Sequence, residues 1–351
     1  MLEALIKQLA AAQPLTDAQI HAAVELLTDE KISAPVKAEF LIALAQKGET
    51  PAEIAAFARA LRDKSVVLPL ENPWRDSREI LDIVGTGGDR LGTFNISTTS
   101  AILCAAAGVA VAKHGNRAVT SQAGSADVLE ALGIRIDLTP AEAARSLRER
   151  NFAFFFAPNF HPAFKHIGPA RKLCAERGRR TIFNFLGPLL NPARPSAMLV
   201  GVPRAELCEP LALVLQSLNV RRGMVVTGKV GGRKPEAGNS LDELSTLGEN
   251  VVAEFYHERG FTASTLSLEN FPLQPATLDD LLGGDKFQNA EITRRILLGE
   301  ERGPKRDAVL LNAGAALFVA GKARSLAGGW ELAGDTIDAG AAAAKLAELA
   351  G

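Results

Sequence analysis

The residues best suited to chemistry lie between Ile83 and Gly133, where two apolar stretches in succession each run into a polar loop and then a helical pattern. In the first, Ile80 to Val84 enters Gly85-Thr86-Gly87-Gly88-Asp89. Glycines there let backbone N–H groups turn toward an anion with no Cβ in the way. Asn95-Ile96-Ser97-Thr98 then opens a helix, adding hydroxyls, free N–H groups and the positive end of a helix dipole. In the second, Gly108 to Ala112 delivers Lys113, His114, Asn116 and Arg117 to one spot, followed by Thr120, Ser121 and Ser125, with a helix from about Ser125. Two anion cradles, cations and several hydroxyls predict a ligand with more than one phosphate. Neither loop is a Walker A motif, because no Gly-Lys-Ser/Thr follows the glycines, and neither carries Gly-x-Gly-x-x-Gly.

Asp242-Glu243 adds a second kind of chemistry. An adjacent acidic pair ordinarily serves solubility, but this one follows a buried strand pattern and the glycine-rich, basic loop Gly228 to Asn239. Polyphosphates need Mg²⁺ to neutralise their charge, and one or two carboxylates completed by substrate oxygens is the usual magnesium arrangement. His161 lies just beyond the apolar run Phe152 to Ala157, at the carboxyl end of a strand, where open α/β sheets carry their sites. A lone loop histidine is, on its own, more often structural.

These groups must be positioned by alternating strands and helices. Ser196 to Val202 and Gly223 to Val226 read as buried strands around a helix from Arg204 to Leu218, which argues for a largely parallel sheet covered on both sides. Ile134 to Asp137 is expected to be a short strand, and Thr139-Pro140-x-Glu142 to cap a helix reaching Arg150. Val251 to Tyr256 and Phe261 to Leu268 are expected to pair antiparallel, and Asn289 to Leu298, Arg306 to Ala320 and Ile337 to Ala350 to be helical. Residues 1 to about 63 read as short helices, with capping boxes at Thr16/Gln19 and Thr50/Glu53. Pro69, Pro73 and Trp74 make Lys64 to Ser77 a helix-free linker or hinge.

The fold class expected is therefore α/β: a small all-helical N-terminal domain, residues 1–70, beside a large α/β domain, residues 71–351, with a mostly parallel central sheet. The region of about 165–185 is a candidate to join the helical domain. The chain has 351 residues, 47% of them hydrophobic, ample for a large core. Its net charge of −1 leaves no global footprint for nucleic acid or an anionic membrane. Three scattered cysteines, Cys104, Cys174 and Cys208, have no zinc spacing and suit a reducing compartment. With no membrane-length apolar run and no signal-peptide core at the N-terminus, the protein is expected to be soluble and cytoplasmic.

Successive motifs, GTGGD, TFNIST and KHGNRAVTSQAGSADVLEALG, closely resemble the signatures of the anthranilate phosphoribosyltransferase family. The likeness continues through FFAPNFHPAFKH, RTIFNFLGPLLNP and LDELST, covering nearly the whole chain in order. It implies a nucleoside phosphorylase/phosphoribosyltransferase-like fold, with a site in the cleft between domains. It also implies transfer of the phosphoribosyl group of phosphoribosyl pyrophosphate (PRPP) to the amine of anthranilate, with Mg²⁺, in tryptophan biosynthesis. By resemblance, PRPP is held by Gly85, Gly88, Asp89, Thr93, Asn95, Ile96, Ser97, Thr98, Lys113, His114, Gly115, Asn116, Arg117, Ala118, Val119, Thr120, Ser121 and Ser125. Anthranilate would meet Gly85, Asn116, Arg171, His114 and His161, with Arg171 facing its carboxylate. Ser97, Asp242 and Glu243 would hold the metal, and Lys113 and Asp89 would stabilise the transition state, with no certain catalytic acid or base. The family usually dimerises through its helical domain, so a homodimer is expected.

The chain departs from the common pattern at Ser121-Gln122-Ala123-Gly124, which lacks a lysine usual there, at Thr227, and in a longer Gly228 to Ser240 loop. Three alternatives bear on it. A related phosphoribosyltransferase would take another acceptor. A pyrimidine nucleoside phosphorylase would carry Lys-x-Ser-Thr-Gly-Gly-Val-Gly-Asp, which is not present. A non-enzymatic nucleic-acid-binding paralogue would be markedly basic.

Overall fold

The computed structural model describes residues 2–118, 122–231, 239–257, 260–269 and 271–351. The chain opens with helices α1 (Leu2–Ala10), α2 (Asp17–Thr28), α3 (Ala34–Lys47) and α4 (Pro51–Asp63). Thr16 and Thr50 cap α2 and α4 through reciprocal bonds with Gln19 and Glu53, as their spacing requires. The connecting stretch is not free of helix: Asn72-Pro73 starts one turn, α5 (Asn72–Asp76), because proline fits the first helical position.

Strand and helix then alternate: β1 (Ile80–Gly85), α6 (Ile96–Ala106), β2 (Ala110–Gly115), α7 (Ser125–Ala131), α8 (Pro140–Arg150) and β3 (Phe152–Phe156). Short helices α9 (Ala157–Phe160), α10 (Gly168–Glu176) and α11 (Phe183–Leu186) lead to β4 (Ala197–Gly201), α12 (Cys208–Ser217) and β5 (Arg222–Lys229). The short β6 (Ser240–Leu241) and the hairpin β7 (Asn250–Tyr256) and β8 (Gly260–Leu266) follow, then α13 (Lys286–Leu297), α14 (Pro304–Val319), α15 (Leu326–Asp338) and α16 (Ala341–Ala350). The sheet order is β3-β2-β1-β4-β5-β7-β8, with β6 pairing β5. The strands β1 to β5 run parallel, and β6, β7 and β8 join antiparallel, so the mostly parallel α/β fold expected from the sequence is the observed one.

Period-two alternation sends successive strand residues to two cores. Leu199, Met224 and Val226 face α6, α14 and α15, whereas Met198, Val200 and Val225 pack toward α12 and the N-terminal helices. Ile167, Ala170 and Cys174 of the α10 region share that second core. The buried Lys37 of α3 reaches across to donate to the carbonyl of His166 at 2.8 Å.

Two expectations are corrected. Ile134 to Asp137 forms no strand; Ile134 and Ile136 are buried, but the backbone joins no ladder. The C-terminal helix does not begin at Ile337, which belongs to the unforeseen α15; Gly340, in left-handed backbone at φ 76°, separates it from α16.

Candidate active site

The carboxyl ends of β1 and β2, the start of α6 and the Asp242-Glu243 loop enclose a cavity of about 890 Å³. Two glycines make the convergence possible. A Cβ on Gly201 would lie 1.7 Å from the backbone oxygen of Asp242, and one on Gly85 would lie 2.4 Å from its carboxylate. With both bare, the acidic loop descends onto the strand ends. Beyond β1, Gly87 and Gly88 adopt left-handed backbone, φ 75° and 94°, and the Gly87 N–H donates to Asp242 Oδ2 at 2.6 Å.

Charge is concentrated here. Lys113 is buried; its Nζ donates to the Ile83 carbonyl at 2.7 Å and lies 3.4 Å from Ser97 Oγ. Ser97 N–H, free at the start of α6, donates to Glu243 Oε1 at 3.2 Å. Burial pushes Asp242 well above the usual carboxylate range, and the charges of Asp89 and Glu243 push the same way. Glu243 is pushed up to about 7, mainly by burial, with Lys113 opposing. Burial also lowers Lys113, against the pull of Asp82 and Glu243. Three half-buried carboxylates thus crowd one point with one buried ammonium, a surplus of negative charge that suits a hard cation. Among the described residues no three His, Cys, Asp or Glu side chains form a complete metal set. A cation at this point would take further oxygens from water or substrate, as Mg²⁺ does.

Of the residues singled out from the sequence, Gly85, Gly88, Asp89, Thr93, Asn95, Ile96, Ser97, Thr98, Lys113, His114, Gly115, Asn116, Arg117, Ala118, Ser125, Asp242 and Glu243 line this cavity. Thr98 brings a buried hydroxyl with no partner. Arg117 is otherwise engaged: its guanidinium pairs with Asp127 and Glu130, each at 3.0 Å, and lies over Phe156. Asn95 does not cap α6 with its side chain; it donates instead to the Ala123 carbonyl at 3.3 Å. Val119, Thr120 and Ser121 lie outside the described residues, as does most of the Gly228 to Asn239 loop.

His161 and Arg171 are not in the cavity wall. They extend from it as a chain of rings. His114, which lines the cavity, meets His161 edge-on at 5.2 Å, His161 stacks on Phe164 at 5.1 Å, Phe164 meets Phe183 at 5.9 Å, and the Arg171 guanidinium lies 5.2 Å from the Phe183 ring centre. Burial drives His114 down to about 3, helped by the neighbouring His161, and drives His161 down to about 4. Both imidazoles are neutral near pH 7, with the Leu190 carbonyl opposing the shift at His161.

Gly283, Gly284 and Asn289 complete the wall and were not anticipated. Asn289 accepts from Gly284 N–H at 2.8 Å and donates to Asn95 Oδ1 at 2.9 Å, so it orients the side chain that ties the first loop of the cavity to the second. The signal in the sequence was the repeat of Gly-Gly-Asp at Gly283-Gly284-Asp285, a second turn before a helix.

Comparison with known proteins decides what this geometry belongs to. Residues 77–343 match the glycosyl transferase family a/b domain, and residues 3–65 match the helical bundle domain of the same family. Anthranilate phosphoribosyltransferase of Lacticaseibacillus paracasei is 45% identical over 349 residues, 99% of this chain and 96% of that one. That of Symbiobacterium thermophilum is 46% identical over 342 residues, 97% and 94% of the two chains. The chain belongs to the anthranilate phosphoribosyltransferase family. It is an enzyme of the glycosyltransferase class. The crystal structure of the Thermus thermophilus member superposes with a TM-score of 0.87 at 42% identity, covering 98% of each chain. The Saccharomyces cerevisiae enzyme in complex with PRPP and Mg gives 0.85 at 26% identity, covering 99% of this chain and 96% of that one. The yeast enzyme has also been solved with 4-fluoroanthranilate.

Proposed function

We propose that the cavity at the ends of β1 and β2 transfers the phosphoribosyl group of PRPP to the amine of anthranilate, giving N-(5-phosphoribosyl)anthranilate and pyrophosphate, as a step of tryptophan biosynthesis. The observation that carries this is the junction at His114. One wall of the cavity gathers phosphate-binding backbone, Lys113 and paired carboxylates; from His114 runs the ring ladder that ends in the Arg171 guanidinium. The first suits a polyphosphate, and the second suits a flat aromatic acid.

In the reaction the anomeric C–O bond to pyrophosphate breaks, its electron pair leaving with pyrophosphate, while the amine lone pair forms the C–N bond and the amine loses one proton to solvent. Positive charge grows on the ribose and negative charge on the leaving oxygens, so positioning and electrostatic stabilisation do most of the work. Gly88, the Thr98 hydroxyl and the N–H groups at the start of α6 other than that of Ser97 present donors to the phosphates. Lys113 neutralises that wall and holds Ser97 in place. Asp242 and Glu243, with Ser97, would hold Mg²⁺, which supplies positive charge to the pyrophosphate oxygens. An aromatic amine is largely neutral near pH 7 and keeps a free lone pair, so no strong base is needed. Asn116 and Gly85 would orient anthranilate.

The reading extends to a cytoplasmic homodimer. Among the described residues no helix is long and apolar enough to cross a membrane. Ile6 of α1, Val36 and Ile42 of α3 and Leu173 of α10 are apolar and only half-buried, which supports the helical layer as the face where two copies meet. Mixing the purified protein with PRPP, Mg²⁺ and anthranilate should consume anthranilate fluorescence in proportion to PRPP. Release of pyrophosphate with anthranilate unconsumed would overturn the acceptor.

A further inference from the structure

A second cavity, of about 460 Å³, lies at the opposite, amino ends of the central strands. Ile80, the first residue of β1, is in its wall, so the length of the strand sets it about 16 Å from Gly85 and the active site. Its volume is that of a small-molecule site. Five guanidinium groups surround it: Arg59 and Arg62 of α4, Arg75 of α5, Arg194 before β4 and Arg221 before β5. Two carboxylates, Asp63 and Asp76, share the wall, and Asp17 and Glu79 pair with Arg59 and Arg221 from outside it, leaving one positive charge in surplus.

The internal pairing leaves guanidinium donors unused. Arg194 bonds Asp63 at 2.9 Å, Arg59 bonds Asp17 at 3.0 Å, and Arg221 bonds Glu79 at 3.2 Å, each through one terminal nitrogen. Arg75 donates only to the carbonyls of Ala193 and Arg194. Arg62 is 6% exposed; its Nε donates to the Leu189 carbonyl, and its Nη2 is buried with no partner. Burial, then the like charge of Arg194, brings Arg62 down to about 10 and lowers Arg75 too. A buried guanidinium with one unpartnered nitrogen beside another cation is costly unless an anion completes it.

We propose that this cavity is a binding site for a small organic polyanion bearing two or more phosphate or carboxylate groups. Arginine forks from four separate segments suit oxyanions bidentately and would be drawn together by one ligand. The ligand would pin α4 and α5 to the base of the sheet. Arg62 would carry its effect inward, because Leu189 sits two residues before Asn191, whose side chain donates to Asp82 at 2.8 Å beside Lys113 and His114.

The test uses the full chain without substrates, titrated with inorganic phosphate or citrate while melting temperature and binding heat are followed, against sodium chloride at equal ionic strength. A saturable rise in melting temperature beyond the salt control is expected from at least one probe. Phosphate alone would mark the site as phosphate-reading, and citrate alone as carboxylate-reading. Arg75→Gln with Arg194→Gln should weaken the response at least about tenfold, since each lost charge-assisted bond carries that much. The active site is unchanged in that variant, so any binding there drops out of the comparison. Should the double variant not fold, Arg59→Gln alone should still weaken binding measurably. No saturable response in the parent, or equal binding by parent and folded variant, overturns the proposal.

Discussion

Asp242 and Glu243 are held where the fold would prefer neutral groups. Burial and the charge of Asp89 raise both carboxylic acids, so each charge costs stability at neutral pH that a bound cation recovers. Asp242→Asn with Glu243→Gln should therefore raise the melting temperature of the metal-free protein while strongly lowering Mg²⁺-dependent turnover, because neutral amides are poor ligands for a hard cation. Calorimetry and a Mg²⁺ titration of activity check both halves; unchanged turnover removes the pair from the site. Arg171 poses a separate question, standing exposed at the far end of the ring ladder. If it meets the acceptor carboxylate, Arg171→Ala should raise the KM for anthranilate about ten- to a hundredfold, the equivalent of ~1.5–3 kcal/mol, with little change for PRPP. Aniline, lacking the carboxylate, should be a poor acceptor for the parent and nearly indifferent to the substitution. Equal loss with both acceptors would make Arg171 a support of the cleft instead.

At the scale of elements, what the sequence could disclose was local. The capping boxes at Thr16, Thr50 and Thr139 and the unbroken apolar run of β3 are decided within a few residues, and all appear as read. The two glycine- and hydroxyl-rich loops that line the cavity were legible for the same reason, since each is written in a short stretch of chain. Asn289 was not, because its use depends on Asn95, 194 positions earlier. Helix α15 was missed because Gly328, Gly329 and Gly334 look like breakers. Their reason is tertiary: a Cβ on Gly329 would stand 2.1 Å from the Gly314 carbonyl, so glycines let α14 and α15 cross in near backbone contact. Gly329→Ala should force the pair apart and cost about 1–3 kcal/mol in urea unfolding, despite alanine's better helix propensity, with turnover per folded molecule retained. A stabilised variant would show that the crossing has slack.

The whole molecule joins its helical layer to the sheet partly through uncharged histidines. His161 lies between Phe164 and His114, and burial, against the opposing pull of the Leu190 carbonyl, holds it at about 4 against about 6.5 in an unfolded chain. A depressed folded value means that the unfolded chain takes up the proton first, so this part of the stability is whole above pH 6.5 and is lost as pH falls toward 4. Each unit of that fall costs up to about 1.4 kcal/mol, and His114, held near 3, adds its own loss over the same range. The raised carboxylates work the other way: Glu243, near 7, and Asp82, near 6, regain stability as they protonate. The parent should therefore show a muted acid dependence, as a balance of these terms, and single substitutions should unmask it. His161→Phe keeps a ring against Phe164 and removes the proton site. Whatever it costs in packing at pH 7.5, that cost should shrink by about 2 kcal/mol at pH 5, the 1.5 units from 6.5 to 5 at about 1.4 each. Urea midpoints for parent and variant at the two pH values measure it. An identical gap at both would mean that His161 is not held neutral by the fold, and that the ring ladder is open to water at its middle.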